Sequence, residues 1–260
     1  MKRRNFLHSS LAVTAGIAAI GSDVSAAERS PAKKEVYEWR EYELNFGIDK
    51  GLLEQYFKTA FIPALNQYGV KAVGVFKPWR EADPARFYLL IPYSSVDSYF
   101  SVNMKIKSDA AFLKNSKAYN SIPAEKPVYN RFVSSLMTAF EGWPVMTVPS
   151  GASRIFELRT YEGYSEDAVR RKVKMFHDGE FPIFIRAKLN PVFFGEVIAG
   201  DQLPRLTYMI TCNNMEERDK GWEAFVADPE WKRLIADTQY ANTISKIRST
   251  FLVPTSYSQV

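Results

Sequence analysis

Arg154 to Tyr161 reads RIFELRTY, and Val36 to Tyr42 reads VYEWREY. Aligned, they place Glu157 on Glu38, Arg159 on Arg40 and Tyr161 on Tyr42; 157 − 38, 159 − 40 and 161 − 42 all give 119. The same spacing relates Pro182 to Pro63, Arg205 to Arg86, Asp228 to Asp109, Trp231 to Phe112 and Phe251 to Phe132. A register held this far marks an internal duplication, so whatever fold one copy implies, the other shares.

Val36 to Leu44 alternates, with Tyr37, Trp39 and Glu41 on one face and Glu38, Arg40 and Tyr42 on the other, as a strand requires. Between Asp49 and Tyr68 the apolar residues Leu52, Leu53, Tyr56, Phe57, Ala60, Phe61, Ala64 and Leu65 form a helical stripe. Pro63 predicts a bend or break within it, and Gly69 a stop. Val70 to Lys77 and Arg86 to Tyr93 read as strands around the turn-rich Pro78 to Ala85. Ser94 or Ser95 and Asp109 are candidate helix caps, as is Asp228 before Pro229 in the second copy. Val128 to Ala139 supplies a fourth strand.

The order βαββαβ gives a four-stranded antiparallel sheet with both helices on one face, a ferredoxin-like unit. Tyr37 and Trp39, with Phe156 and Leu158, are expected to meet the helices. The other face then carries Glu38, Arg40 and Tyr42, and their mates Glu157, Arg159 and Tyr161. A partly apolar sheet face is not left open to water. Two tandem copies solve this by packing their sheets together as a pseudo-twofold barrel, so the fold class is α+β.

The expected organisation is an export signal at 1–26, a flexible lead-in at 27–35, a first domain at 36–140, a linker at 141–153 and a second domain at 154–260. Lys2, Arg3 and Arg4 precede the apolar Leu11 to Ile20, and Val24-Ser25-Ala26 offers a cleavage site. Arg3-Arg4 before Asn5-Phe6-Leu7 resembles a twin-arginine signal, which implies a periplasmic or extracellular address. Ten apolar residues are too few to span about 30 Å of hydrocarbon, so no stable membrane insertion is expected after cleavage. Removing the signal lowers the net charge from +5 to +5 − 3 + 1 = +3, too small an excess to call for a nucleic-acid partner. The one cysteine, Cys212, excludes an intrachain disulfide and a cysteine-rich metal site and reads as a small buried hydrophobe.

ELRTY at Glu157 to Tyr161, the proline of the following helix and WEAFVADPEWKRL at Trp222 to Leu234 resemble the NIPSNAP family of the dimeric α/β barrel superfamily. The first copy keeps Glu38, Arg40 and Tyr42 but has Asp109-Ala110-Ala111-Phe112 where the second has Asp228-Pro229-Glu230-Trp231. The resemblance implies the barrel. Relatives of that fold include cofactor-free oxygenases, haem-degrading enzymes and haem peroxidases.

Glu38, Arg40 and Tyr42, and Glu157, Arg159 and Tyr161, each offer an acid, a cation and a phenol to an anionic or aromatic molecule in or near the barrel interior. The competing reading is a buried charge network that fixes how the halves dock. His177, the only histidine outside the signal, is a further candidate, since one imidazole suffices as haem ligand or general base. Its neighbours Phe176, Asp178 and Gly179 match no haem motif, and a place on a helix surface is the plainer expectation. Nucleophile elbows, phosphate loops and dinucleotide fingerprints are lacking, so no catalytic residue, metal site or cofactor is assigned, with haem as an alternative. The reading is an exported small-molecule binding protein. Its alternatives are a cofactor-free oxygenase or haem-linked enzyme, or a protein-interaction module, and the outer surfaces leave room for a homo-oligomer.

Overall fold

The computed structural model describes residues 33–151 and 154–260. The expected signal, most of the lead-in and the last two linker positions lie outside the described residues. Eight strands form: β1 (Val36–Leu44), β2 (Gly74–Pro78), β3 (Arg86–Tyr93), β4 (Tyr129–Ala139), β5 (Ile155–Glu162), β6 (Pro191–Ala199), β7 (Arg205–Cys212) and β8 (Lys246–Pro254). They close into an antiparallel barrel in the order β1-β3-β2-β8-β5-β7-β6-β4. Each half is a ferredoxin-like sheet in which the first strand lies between the third and the fourth. The barrel closes at two seams, β2 with β8 and β6 with β4.

The seams share one register. Phe76, Lys77 and Pro78 face Pro254, Val253 and Leu252, while Gly195, Glu196 and Val197 face Ala139, Thr138 and Met137. The 119-residue offset therefore holds through β3 and β7 but not into the last strand. Ser134 lies opposite Arg40 and Ser249 opposite Arg159, an offset of 249 − 134 = 115. Leu136, not Phe132, is the structural mate of Phe251, because the first half has four more residues before its last strand.

The faces of β1 and β5 are the reverse of the expectation. Tyr37, Trp39, Phe156 and Leu158 point into the barrel, where they pack with Phe76, Tyr88, Leu90, Met137, Phe193, Met209 and Leu252. Every strand contributes to this interior, and the rings of Tyr37 and Phe193 and of Phe76 and Phe156 meet across the halves at 5.0 Å. Glu38, Arg40, Tyr42, Glu157, Arg159 and Tyr161 instead lie on the outer, helix-covered face. In a sheet buried on both sides apolarity does not distinguish the faces. The larger rings fill the centre, while the polar ends find hydrogen-bonding partners on the helices.

Those helices are α1 (Gly51–Tyr56), α2 (Ile62–Gln67), α3 (Val96–Ser108), α4 (Ala110–Asn115) and α5 (Lys117–Asn120) in the first half, and α6 (Glu166–Met175), α7 (Phe181–Arg186), α8 (Met215–Ala227) and α9 (Pro229–Ala236) in the second. Pro63 neither breaks nor sharply ends its helix. A π-helical turn, Phe57–Phe61, joins α1 to α2, with the Ile62 amide donating to the Phe57 carbonyl. Phe176–Glu180 does the same between α6 and α7, with Phe181 donating to Phe176. Widening the turn just before each proline accommodates the amide hydrogen that proline lacks. Ser95, Asp109 and Asp228 cap α3, α4 and α9 as expected.

The strand expected from Val70 starts only at Gly74. The amides of Val73 and Val75 donate to the Gln259 side-chain carbonyl and the Ser258 hydroxyl, both at 3.0 Å. Their carbonyls accept from Gln259 and Thr255 at 2.9 Å. The segment after β8 thus takes the hydrogen-bonding groups that a longer β2 would have used.

Candidate functional site

On β5, residues two apart share a face, which sets Glu157, Arg159 and Tyr161 in a row beneath α6 and α8. Asn214 caps α8 by accepting from the Glu217 amide, and the helix then carries Arg218 and Trp222 four residues apart, one turn along one face. Glu157 is fully buried, and its carboxylate collects five hydrogen bonds from four side chains. Arg218 donates from Nε at 2.8 Å and Nη2 at 2.9 Å, Arg159 from Nη1 at 2.7 Å, Trp222 from Nε1 at 3.1 Å and Ser249 from Oγ at 3.0 Å. Burial alone would raise its pKa, but the two guanidiniums and the indole overcome it and hold the carboxyl at about 2.

Arg159 is stacked as well as paired, its guanidinium lying 4.4 Å from the centre of the Trp222 ring. It also donates to the Tyr161 hydroxyl from Nε at 3.3 Å and Nη2 at 3.2 Å, and Tyr161 shares a 2.7 Å hydrogen bond with buried Tyr208. Burial pushes the Tyr208 phenol well above its ordinary range. Beyond Tyr161 lies a buried ion pair, Lys172 with Glu180. Burial raises the Glu180 pKa against the pull of the lysine. Lys172 also lies over the rings of Phe176 and Trp231, at 4.8 and 5.4 Å.

The first half repeats the row with a poorer partner set. Glu38 accepts from Arg40 at 2.6 and 3.0 Å, from Ser134 at 2.8 Å and from Tyr93 at 3.2 Å. Tyr99 and Asn103 stand where the second half has Arg218 and Trp222, and Leu53 and Phe61 where it has Lys172 and Glu180. Arg40 lies over Phe61 at 4.8 Å, and Tyr42 stacks on Phe132 at 4.8 Å, its phenol pushed up to about 12 by burial. Glu38 therefore meets one guanidinium where Glu157 meets two.

His177 belongs to neither row. It sits exposed on the π-helical turn, with Nδ1 2.8 Å from the Val173 carbonyl and Nε2 3.0 Å from the Gly142 amide. The amide can only donate, so Nε2 is an acceptor and Nδ1 carries the hydrogen. Both ring nitrogens are engaged, and the imidazole fixes the segment after β4 to the second half. Cys212 is buried in β7, its thiol pushed up to about 11 chiefly by burial. Among the described residues no group of three or more His, Cys, Asp or Glu could hold a metal ion, and no helix is long and apolar enough to cross a membrane.

Residues 156–259 match the NIPSNAP family model. Glu157, Arg159, Tyr161, Arg218 and Trp222 all lie inside that match. Among solved structures, proteins provisionally named monooxygenases from Lactobacillus acidophilus NCFM and Fusobacterium nucleatum superpose over 85% and 86% of this chain and 94% and 93% of theirs, with TM-scores of 0.54 and 0.53. Their identities, 11% and 10%, establish a shared fold alone. A NIPSNAP-like domain protein from Burkholderia xenovorans aligns over 42% of this chain and 90% of its own at 19% identity and a TM-score of 0.37. No curated protein matches the chain.

Arg218 and Trp222, the two groups that complete the second-half site, also reach the surface. With Asp219, Glu223, Val226, Ala227 and Lys232 they line an open groove of about 710 Å³ along α8 and α9. Arg218 uses Nε and Nη2 on buried Glu157 and turns Nη1 to the exposed carboxylate of Asp219 at 2.8 Å. The row residues were legible from the repeat, but Arg218 and Ser249 were not. Their signal was weak: a cation four residues before Trp222, and a serine whose mate stands 115 rather than 119 positions away.

Proposed function

We propose that this is an exported protein that binds a small anion bearing an apolar or aromatic part, and that the groove of the NIPSNAP half receives it. One observation carries the reading. Arg218, which lines the groove, is anchored by a buried carboxylate through two donors, and its third nitrogen pairs with an exposed aspartate. Anchoring removes most of the conformational entropy that a guanidinium loses on binding, which favours capture of an incoming anion. The ligand's anionic group replaces Asp219 at Nη1, its apolar part lies against Trp222, Val226 and Ala227, and Lys232 supplies a second cation. The interior reading is set aside, because the rings of both halves occupy that space.

The alternative of a cofactor-free oxygenase or haem-linked enzyme is consistent with the fold shared with the two proteins named monooxygenases; it would use the interior that the packed rings occupy. Calorimetric titration of the chain from residue 27 with benzoate and octanoate tests the binding reading. R218Q is expected to abolish octanoate binding and D219N to tighten it, since that change removes the competing carboxylate. Equal affinity in wild type, R218Q and D219N overturns the assignment.

A further inference from the structure

The duplication places two equivalent clefts beside the seams, and their linings differ: three cations and one carboxylate in one, one cation and two carboxylates in the other. One, of about 300 Å³, is lined by Lys50, Lys77, Trp79, Glu81, Arg86 and Val253 among others. The other, of about 240 Å³, is lined by Val169, Glu196, Ile198 and Arg205 at the matching positions, since 169 − 50, 196 − 77, 198 − 79 and 205 − 86 all give 119. A cleft produced by backbone geometry alone would be expected in both halves with unremarkable lining. Here one copy has two lysines and a tryptophan where the other has valine, glutamate and isoleucine.

The arginines common to both clefts are used differently. Arg205 is buried and committed, donating to Ser135 at 2.8 Å and to the Asp201 side chain at 2.9 Å. Arg86 is 48% exposed and, among the described residues, its salt bridge is with Glu43, which is itself exposed. Lys77 lies 3.9 Å from Glu54, at the limit of ion-pair range, with both groups reaching solvent. Trp79 is held at the seam by its amide, which donates to the Phe251 carbonyl at 2.8 Å; the residue remains 38% exposed, with the Arg80 guanidinium 5.3 Å from its ring. Large exposed aromatics fixed by their backbone beside several cations are suited to planar anions, because the ring supplies contact area at low entropic cost.

We propose that the cleft at the ends of β2 and β3 binds an aromatic carboxylate, separately from the groove on α8. The ring of the ligand lies against Trp79 and Val253, and its carboxylate sits among Lys50, Lys77 and Arg86. The probe is 2-naphthoate, titrated calorimetrically into the chain from residue 27, with 2-acetylnaphthalene as the neutral counterpart. W79A and K77E are each expected to weaken 2-naphthoate by roughly tenfold or more, and the neutral compound to bind at least about tenfold more weakly than the acid. E196Q, at the twin position, leaves the affinity unaltered. W79F, which keeps a ring, retains most of the binding and guards against a folding defect in W79A, with circular dichroism checking each variant. Failure of 2-naphthoate to bind, affinity unchanged in both W79A and K77E, or equal affinity for the neutral compound overturns the proposal.

Discussion

Arg218 and Glu157 lie 61 residues apart in the chain and meet through two parallel hydrogen bonds, from Nε and Nη2 to the two carboxylate oxygens, at 2.8 and 2.9 Å. This fork fastens α8 to β5 and fixes the guanidinium that faces the groove. Charge-assisted bonds of this geometry are among the stronger ones in proteins. R218A is expected to cost about 1.5–3 kcal/mol in urea unfolding, because Glu157 keeps Arg159, Trp222 and Ser249 but loses its bidentate partner.

Acid stability carries the same signature. Glu157 is held at about 2, below the ordinary 4.5, so its contribution is complete above the unfolded value and is lost as pH falls from 4.5 towards 2. The contribution is on the order of 3 kcal/mol. In urea melts across that window, wild type should lose stability more steeply than E157Q, which is less stable at pH 7 but lacks this proton uptake. Parallel curves for the two proteins would contradict the assignment.

Lys172 and Glu180 offer a comparison built into the chain, because the first half fills the same two places with Leu53 and Phe61. K172L alone leaves a buried carboxylate without its cation and should destabilise by roughly 3–5 kcal/mol. The double variant K172L/E180F copies the first half and should recover most of that loss, since apolar replacements of buried ion pairs are often neutral or stabilising. Thermal or urea unfolding of the two variants decides it. A double variant as unstable as the single one would mean that the pair has a role the first half does not need.

His177 is expected to act as a structural tie. H177A should cost about 1 kcal/mol by releasing the Gly142 amide and should leave benzoate affinity as it was. Added haem should give no His177-dependent change in its absorption spectrum. A Soret shift abolished by H177A would overturn that view.

Much of the fold was legible because duplication is a statement about positions, and the row Glu157-Arg159-Tyr161 kept its spacing. The strand-helix order and the caps at Ser95, Asp109 and Asp228 were read from local chemistry that the tertiary structure leaves intact. Which way β1 and β5 face was not legible. Tyr37 and Trp39 are apolar and Glu38 and Arg40 are charged, yet all four are largely buried, so alternation showed two faces without saying which met the helices. The late start of β2 depended on Ser258 and Gln259, more than 180 residues away. Pro63 was seen as a disturbance, but the π-helical turn that accommodates it is a backbone solution with no residue signature of its own. Arg218 escaped notice because its mate is Tyr99, and a cation appearing in only one copy leaves no repeat to detect.

The most direct measurement of the central claim is an isotope-resolved spectrum of the indole N–H groups of the five tryptophans during titration with benzoate. Trp222 donates to Glu157 at the groove, whereas Trp39 is sealed in the barrel, so the two report on rival sites. The Trp222 resonance is expected to move in a saturable manner, R218Q to abolish the movement, and Trp39 to stay in place. A saturable shift of Trp39 with Trp222 unmoved would contradict that expectation and return the ligand to the interior.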